Sequence, residues 1–299
     1  MSKKILLYKQ KIFKYLLIGS NGLLGTEIKK ILPKNQTILV ARNKSDYNLN
    51  LENFDKLINL FKNKKFSYVI NTAAVTDLNL CEKEKNKCKK INYLLPLKLN
   101  NLSKKKKFKL VHISTDQVYV SKNKRKNKEI DETGFVNYYS QMKYLSEKKL
   151  KKNKNTLIIR TNFTGFKNDR KKTFISWLDQ SILKKKKINL FNDLVCSTID
   201  SKTCARLIVK LVDLDKTGIF NLGTRDSLTK KEFAILYAKK LKKKIYYQEI
   251  SAKKLKLKRP LNLKLDTTKT EKALGIKMIT SLKSINNLVL QKKNENNWN

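Results

Sequence analysis

The stretch "YLLIGSNGLLGTEI", from Tyr15 to Ile28, decides the fold class. An apolar run ends at Gly19, and Gly22 and Gly25 follow at intervals of three residues. A buried strand, a glycine-rich turn and a helix in succession are the context in which such a turn binds a dinucleotide. The first glycine would permit the tight turn, the second would admit a pyrophosphate, and the third would let the helix pack closely on the sheet. Because the spacing is GxxGxxG and not GxGxxG, a glycine turn without a ligand is the alternative.

Short apolar runs recur after this turn and alternate with helix-like patterns. The runs are "TILVA" (37–41), "YVINTAA" (68–74), "KLVHIST" (109–115) and "TLIIRT" (156–161). Strands that are apolar on both faces and alternate with helices are typical of a parallel sheet covered on both sides. We therefore predict an α/β fold with a Rossmann-type doubly wound parallel sheet.

Residues 11–161 form the predicted Rossmann domain, which binds the dinucleotide and carries the catalytic residues. Residues 162–299 form a smaller C-terminal α/β substrate-binding region with helical patterns, and the two regions could be interleaved because no Pro/Gly-rich linker separates them. One of these helices is expected after Thr229, which forms a capping-box signature with Glu232.

The formal net charge of +45 predicts attraction to polyanions. Nearly all of the basic residues are lysines, however, and their clusters at 104–107, 151–154, 184–187 and 242–244 lie between apolar segments. No aromatic residues alternate with them as a base-stacking platform would require. We interpret the lysines as solvated surface and expect no specific nucleic-acid partner, with a nucleic-acid site as the alternative.

Composition also limits the compartment and the metal chemistry. No apolar run approaches the roughly 18 residues that span a bilayer, and the basic N-terminus lacks a small-residue cleavage site. The four cysteines show no CxxC spacing, and His112 is the only histidine. We therefore expect a reduced, cytoplasmic chain without a membrane span or a metal site, in which His112 is a packed core residue.

The second strand ends at Arg42, about 20 residues beyond the glycine turn, where an acidic residue would bind a ribose 2′-hydroxyl. A guanidinium at this place suits a 2′-phosphate. The cofactor prediction is therefore NADPH, with NADH as the alternative if Arg42 is simply a surface cation.

The segment "YYSQMKYLSE" supplies a candidate acid–base pair. Tyr139 and Lys143 are four residues apart, so they share one face of a helix. A neighbouring ammonium favours the phenolate and should bring the pKa of Tyr139 down toward the working range. Such a pair can protonate a carbonyl oxygen while a nicotinamide delivers hydride to the carbon.

The segment "HISTDQVY" ends a strand and places Thr115 and Asp116 at the carboxyl edge of the predicted sheet, where ligands bind in open α/β folds. The hydroxyl of Thr115 could hydrogen-bond the same carbonyl oxygen that Tyr139 protonates.

In order and spacing, "GSNGLLG", "VINTAAVTDLNLCE", "VHISTDQVY", "YYSQMK" and "IIRTNF" resemble the extended short-chain dehydrogenase/reductases. The similarity is greatest to the dTDP-4-dehydrorhamnose reductases and related nucleotide-sugar reductases, and it covers nearly the whole chain. It implies NADPH-dependent reduction of the C4 keto group of a nucleotide-activated 4-keto-6-deoxy sugar in polysaccharide precursor synthesis. The oligomeric state is left open, with a homodimer as one option.

The resemblance also assigns roles to individual residues. Thr115, Tyr139 and Lys143 would be catalytic, and Thr115, Asp116 and Phe163 would bind the sugar substrate. The cofactor would be bound by Gly19, Asn21, Gly22, Leu23, Leu24, Gly25, Arg42, Asn48, Leu49, Ala73, Ala74, Val75, Asn92, Ile113, Tyr139 and Lys143.

The sequence departs from the family pattern at two places in the predicted sugar pocket. Phe163 replaces the tryptophan of the family, and "NDLVCST" (192–198) replaces a DQxGxPT-like loop. A nucleotide-sugar epimerase or dehydratase of the same fold, or a non-catalytic NADP-binding regulatory subunit, is therefore the alternative to a reductase.

Overall fold

The computed structural model describes residues 11–120, 124–166 and 173–296. Seven strands form one sheet in which all neighbouring strands are parallel. They are β1 (Lys11–Ile18), β2 (Thr37–Ala41), β3 (Tyr47–Asn48), β4 (Lys64–Asn71), β5 (Lys109–Ile113), β6 (Thr156–Thr161) and, later in the chain, β11 (Gly218–Leu222). Their order across the sheet is β11-β6-β5-β4-β1-β2-β3, which confirms the predicted doubly wound parallel sheet.

Eleven helices are present in the described ranges. They are α1 (Leu23–Ile31), α2 (Asp55–Asn63), α3 (Leu78–Lys83), α4 (Lys85–Lys89), α5 (Leu95–Lys106), α6 (Tyr138–Leu150), α7 (Phe174–Leu183), α8 (Ser201–Asp213), α9 (Lys230–Lys240), α10 (Thr268–Leu274) and α11 (Ser281–Asn296). A π-helical turn, Lys90–Leu94, connects α4 to α5. The capping box expected before α9 is present, because Thr229 and Glu232 exchange hydrogen bonds.

The main sheet is covered on both faces, and β1 shows why. Leu16 and Ile18 pack in a hydrophobic cluster with residues of α2, α5 and α6, whereas Tyr15 and Leu17 pack on the opposite face with residues of α1 and α8. Successive side chains of a strand point to opposite faces, so the part of a strand that lies between two helical layers is apolar on both faces.

Smaller sheets lie among the helices of the C-terminal part. β7 (Phe163–Thr164) pairs with β10 (Ile199–Asp200), and β8 (Lys187–Phe191) pairs with β13 (Tyr246–Ile250). A three-stranded sheet combines β9 (Val195–Cys196), β12 (Leu228–Thr229) and β14 (Asn262–Leu263). Because β11 belongs to residues 162–299 and pairs with β6, the two predicted regions share the main sheet.

The lysine clusters lie on the surface, at or just beyond the C-terminal ends of α5, α6, α7 and α9. Cations are favourable there because the C-terminus of a helix carries partial negative charge. No helix in the described ranges is both long and apolar enough to cross a membrane. Among the same residues, no three His, Cys, Asp or Glu side chains form a cluster that could hold a metal ion.

Candidate active site

The glycine turn between β1 and α1 is tight, and its neighbours leave no room for side chains. Gly19 has a φ of +83°, and a Cβ there would lie 2.7 Å from the backbone nitrogen of Ala73. A Cβ on Gly25 would lie 2.1 Å from the carbonyl oxygen of Gly19, which is closer than any real contact. α1 begins after Gly22, so no side chain caps the N–H groups of its first turn. These groups and the positive end of the helix dipole are free to face an anion.

The loop after β2 is held against this turn. The side chain of Asn21 donates to the carbonyl oxygen of Asn43, and Arg42 stands exposed beside it at the end of β2. Asn48 accepts hydrogen bonds from Ser45, and the backbone N–H of Leu49 donates to the carbonyl oxygen of Ala41 at 2.7 Å. The structure thus brings the predicted adenosine-side residues to one edge of the sheet.

The loop after β4 carries Ala73, Ala74 and Val75, and Asn92 fixes it from behind. The side-chain oxygen of Asn92 accepts from the N–H of Val75 at 2.9 Å, and its amide nitrogen donates to the Val75 carbonyl at 2.8 Å. The Asn92 side chain is fully buried. Asn92 therefore fixes the conformation of the loop after β4, which we predict to bind the cofactor.

The three predicted catalytic residues meet at the carboxyl edge of the sheet. Thr115 follows β5 and starts a short 3₁₀ turn, whereas Tyr139 and Lys143 lie on one face of α6. The Tyr139 phenol and the Thr115 hydroxyl lie close enough to interact, and both side chains are buried. Lys143 lies deeper and is only 1% exposed.

One expectation about this pair is wrong. The pKa of Tyr139 is raised, because burial disfavours the phenolate more than the neighbouring Thr115 hydroxyl favours it. The Lys143 amine does not lower the pKa of Tyr139 because it is directed at the carbonyl oxygen of Ile113, 2.6 Å from Nζ, and at the ring of His112. Tyr139 therefore carries its proton at neutral pH, which is the form that a proton donor requires.

Burial also changes the Lys143 amine itself. Desolvation lowers the pKa of Lys143 to about 8, with the opposing attraction of Glu147 as the next cause. His112 is buried as predicted, but it is more than a packing residue because its Nε2 lies 3.2 Å from Nζ of Lys143.

Asp116 connects the catalytic threonine to the C-terminal part of the chain. It accepts from the Thr115 hydroxyl at 3.2 Å and from the side-chain nitrogen of Asn162 at 2.7 Å. Asn162 in turn accepts from the hydroxyl of Thr198 at 3.1 Å, and Lys230 donates to the same hydroxyl at 3.4 Å. Burial raises the pKa of Asp116 to about 6, and the hydrogen bond from Asn162 opposes this rise.

Sequence reasoning did not select Asn162, Thr198 or Lys230. Asn162 directly follows β6, so the rule that ligands bind at the carboxyl ends of parallel strands could have found it. Lys230 has no such signal, because only tertiary packing brings its charge near Asp116, whereas Thr198 ends the segment 192–198 that departs from the family pattern. Phe163, which was selected, is partly buried and packs on the hydrophobic cluster shared by α1 and α8.

The residues at the glycine turn fit a dinucleotide. A side chain at Gly19 or Gly25 would collide with neighbouring backbone, and the uncapped start of α1 presents N–H donors where a pyrophosphate would need them.

Comparisons with known proteins give one family and a consistent set of relatives. The profile of the family described as "RmlD substrate binding domain" matches residues 13–293. The probable low-salt glycan biosynthesis reductase Agl14 of Haloferax volcanii is 23% identical over 227 residues, which is 72% of this chain and 76% of that protein.

Two solved structures show the same architecture. The crystal structure of a hypothetical dTDP-4-dehydrorhamnose reductase from Sulfolobus tokodaii is 29% identical with a TM-score of 0.80, covering 90% of this chain and 97% of that one. The dTDP-4-dehydrorhamnose reductase of Bacillus anthracis, solved in complex with NADP, is 19% identical with a TM-score of 0.83, covering 93% and 99%. At 19% identity, the similarity to the Bacillus anthracis structure concerns the fold alone.

Proposed function

Since the chain belongs to the RmlD substrate-binding domain family and is an NAD(P)-dependent oxidoreductase of the short-chain dehydrogenase/reductase type, we propose that it reduces the C4 keto group of a nucleotide-activated 4-keto-6-deoxy sugar with NADPH. The observation that carries the proposal is that the buried Tyr139 lies beside Thr115 at the sheet edge, one helical turn from the buried Lys143.

Each of the three residues has a defined part in the proposed reduction. NADPH, when bound, supplies the hydride to C4. Tyr139 donates its phenolic proton to the carbonyl oxygen, so that the ketone becomes an alcohol. Thr115 hydrogen-bonds the same oxygen and orients it. Lys143 binds the nicotinamide ribose.

The remaining predicted residues divide between cofactor and sugar. Gly22, Leu23 and Leu24 would bind the pyrophosphate, and Arg42 would bind the 2′-phosphate that distinguishes NADPH from NADH. Asp116 lies beside Thr115, and its position supports a role in binding a sugar hydroxyl. A role in polysaccharide precursor synthesis and a homodimer are part of the same proposal.

The test is oxidation of NADPH by the purified protein in the presence of dTDP-, GDP-, CDP- and UDP-linked 4-keto-6-deoxy sugars. We expect turnover with at least one sugar, and we expect Tyr139→Phe to abolish it while NADPH binding is kept. Tyr144→Phe, on the same helix, is the matched control and should keep turnover.

Two results would contradict a reductase. Copurified NAD(P)⁺ without net consumption of NADPH would indicate an epimerase or dehydratase. NADPH binding without conversion of any sugar would indicate a non-catalytic binding subunit.

A further inference from the structure

The ring of His112 lies between the catalytic helix and the loop after β4. Its Cα is the direct partner of Asn71 in the pairing of β4 with β5, and the side chain is completely buried. Nε2 lies 3.2 Å from Nζ of Lys143, and Nδ1 lies 3.4 Å from the side-chain nitrogen of Asn71. Both ring nitrogens therefore face a polar group of a neighbouring element.

We propose that His112 is a positioning residue that holds the amine of Lys143 through Nε2, while Asn71 holds the ring through Nδ1. The inference rests on the proposed function only in that Lys143 is taken to act in the reduction. The arrangement links Lys143 to the predicted cofactor loop, because Asn71 also accepts a hydrogen bond from the N–H of Ala73 at 3.2 Å.

The donor count of Lys143 supports this role. A charged lysine has three N–H donors. One of them points to the carbonyl oxygen of Ile113 and one to Nε2 of His112. A single donor is then left for the ribose, so the two protein contacts set the direction in which the amine can bind the cofactor.

The same contacts determine which ring nitrogen of His112 carries the proton. Because the Asn71 oxygen accepts from Ala73, its NH₂ group faces Nδ1, which is then the acceptor. With the Asn71 amide in this orientation the ring proton is on Nε2, where it can donate only to the uncharged amine of Lys143. When Lys143 gains a proton, it donates to Nε2 instead, the ring proton moves to Nδ1, and the Asn71 amide must turn over so that its oxygen accepts from Nδ1 and releases the N–H of Ala73. The tautomer of His112 thus follows the charge of Lys143.

Burial and the surrounding charges place the titration of Lys143, and with it the tautomer change of His112, in an accessible pH range. Burial lowers the pKa of Lys143 to about 8, while Glu147 on α6 and Cys88 on α4 oppose the decrease. Burial, together with the charge of Lys143, lowers the pKa of His112 well below its usual value. The imidazole therefore stays neutral while the amine beside it titrates.

The first test uses the fact that His112 is the only histidine of the chain. Nitrogen-15 NMR of the labelled protein would resolve its two ring nitrogens without overlap between about pH 6 and about pH 10. We expect the Nδ1–H tautomer at low pH, and a change to the Nε2–H tautomer with a midpoint near pH 8. Lys143→Met should show Nε2–H throughout. One tautomer at every pH in the wild type, or a ring that becomes charged near pH 6.5, would overturn the proposal.

The second test is kinetic and separates positioning from packing. His112→Phe keeps a ring but removes both nitrogens, whereas His112→Gln keeps an acceptor that can reach the amine. We expect His112→Phe to lower kcat about tenfold and to move the alkaline limb of the pH profile down by about one unit, because the charged amine loses an acceptor. His112→Gln should recover most of both losses.

Leu110→Ile is the matched control for these variants, since Leu110 is a buried residue two positions earlier on the same face of β5. The proposal is wrong if the Phe and Gln variants have the same pH profile, or if Leu110→Ile moves the profile equally. If the wild type reduces no sugar at all, the proposed function fails, while the NMR measurement still decides the role of His112.

Discussion

The carboxylate of Glu147 and the guanidinium of Arg160 form a buried salt bridge, with 2.7 Å between Oε2 and Nη2 and only 4% exposure of each side chain. Glu147 lies one turn beyond Lys143 on α6, and Arg160 lies on β6. The hydroxyl of Ser114 donates to the same carboxylate. The salt bridge therefore fixes the catalytic helix against the strand ends from which Thr115 projects.

Breaking this pair should destabilise the protein strongly. Arg160→Met leaves the carboxylate of Glu147 buried without its cation, which typically costs about 3–5 kcal/mol. We expect a loss of that size in the free energy of unfolding, measured from denaturant-induced unfolding. Lys231→Met, which removes the exposed ion pair with Glu249, is the control and should cause no measurable change. Equal effects of the two substitutions would contradict this account.

The glycine turn should not accept a side chain at Gly25. Because a Cβ there would lie 2.1 Å from the carbonyl oxygen of Gly19, Gly25→Ala must displace the turn. We expect NADPH binding, measured by titration of ligand fluorescence, to weaken roughly tenfold to a hundredfold.

Gly275→Ala provides the comparison for this substitution. Gly275 has a φ of +64° at the end of α10, and a Cβ there would meet nothing within 4 Å. It should cost about 1 kcal/mol of stability without changing the affinity for NADPH. Unchanged NADPH affinity in Gly25→Ala would exclude the glycine turn as the pyrophosphate site.

Arg42 should decide between the two nicotinamide cofactors. A charged hydrogen bond to a 2′-phosphate is worth about 1.5–3 kcal/mol, so Arg42→Ala should raise the Kd of NADPH roughly tenfold to a hundredfold. The Kd of NADH should stay the same, since NADH has no 2′-phosphate. Lys34→Ala removes one exposed positive charge elsewhere and controls for net charge. Equal increases in the Kd of NADPH and of NADH in Arg42→Ala would show that Arg42 does not bind the 2′-phosphate.

Asp116 should make the stability depend on pH in the direction opposite to most carboxylates. Its pKa is raised from 3.8 to about 6, so the folded protein holds this proton over a range in which the unfolded chain has lost it. Stability from this group is therefore present below about pH 4 and is lost as the pH rises to about 6, by up to about 3 kcal/mol.

Asp116→Asn removes this titration. Relative to the wild type, we expect the variant to gain stability between about pH 4 and about pH 6, measured by urea unfolding at each pH. Asp131→Asn is the control of opposite sign, because the hydrogen bond from Arg125 lowers the pKa of Asp131. A difference between wild type and Asp116→Asn that is independent of pH would mean that Asp116 does not titrate in this range.

The sheet could be predicted from the sequence because its signals are local. β2 and β6 have the predicted bounds, since each strand is built on a short apolar core that polar residues delimit. β4 differs, because it starts at Lys64 and ends at Asn71. The apolar residues Ala73 and Ala74 continue the pattern of the strand, but they lie in the loop that the amide of Asn92 shapes through Val75. Apolar character alone cannot distinguish a strand end from a loop that borders a ligand site.

By itself, the sequence determined the parallel α/β fold, the glycine turn after β1 and the helical face shared by Tyr139 and Lys143. All of these depend on residues a few positions apart, whose geometry follows from strand and helix periodicity. Only the tertiary structure decided the raised pKa of Tyr139 and the contact between His112 and Lys143. Desolvation and hydrogen bonds between distant segments arise when the chain packs, and no local pattern in the sequence encodes which groups will then be buried together.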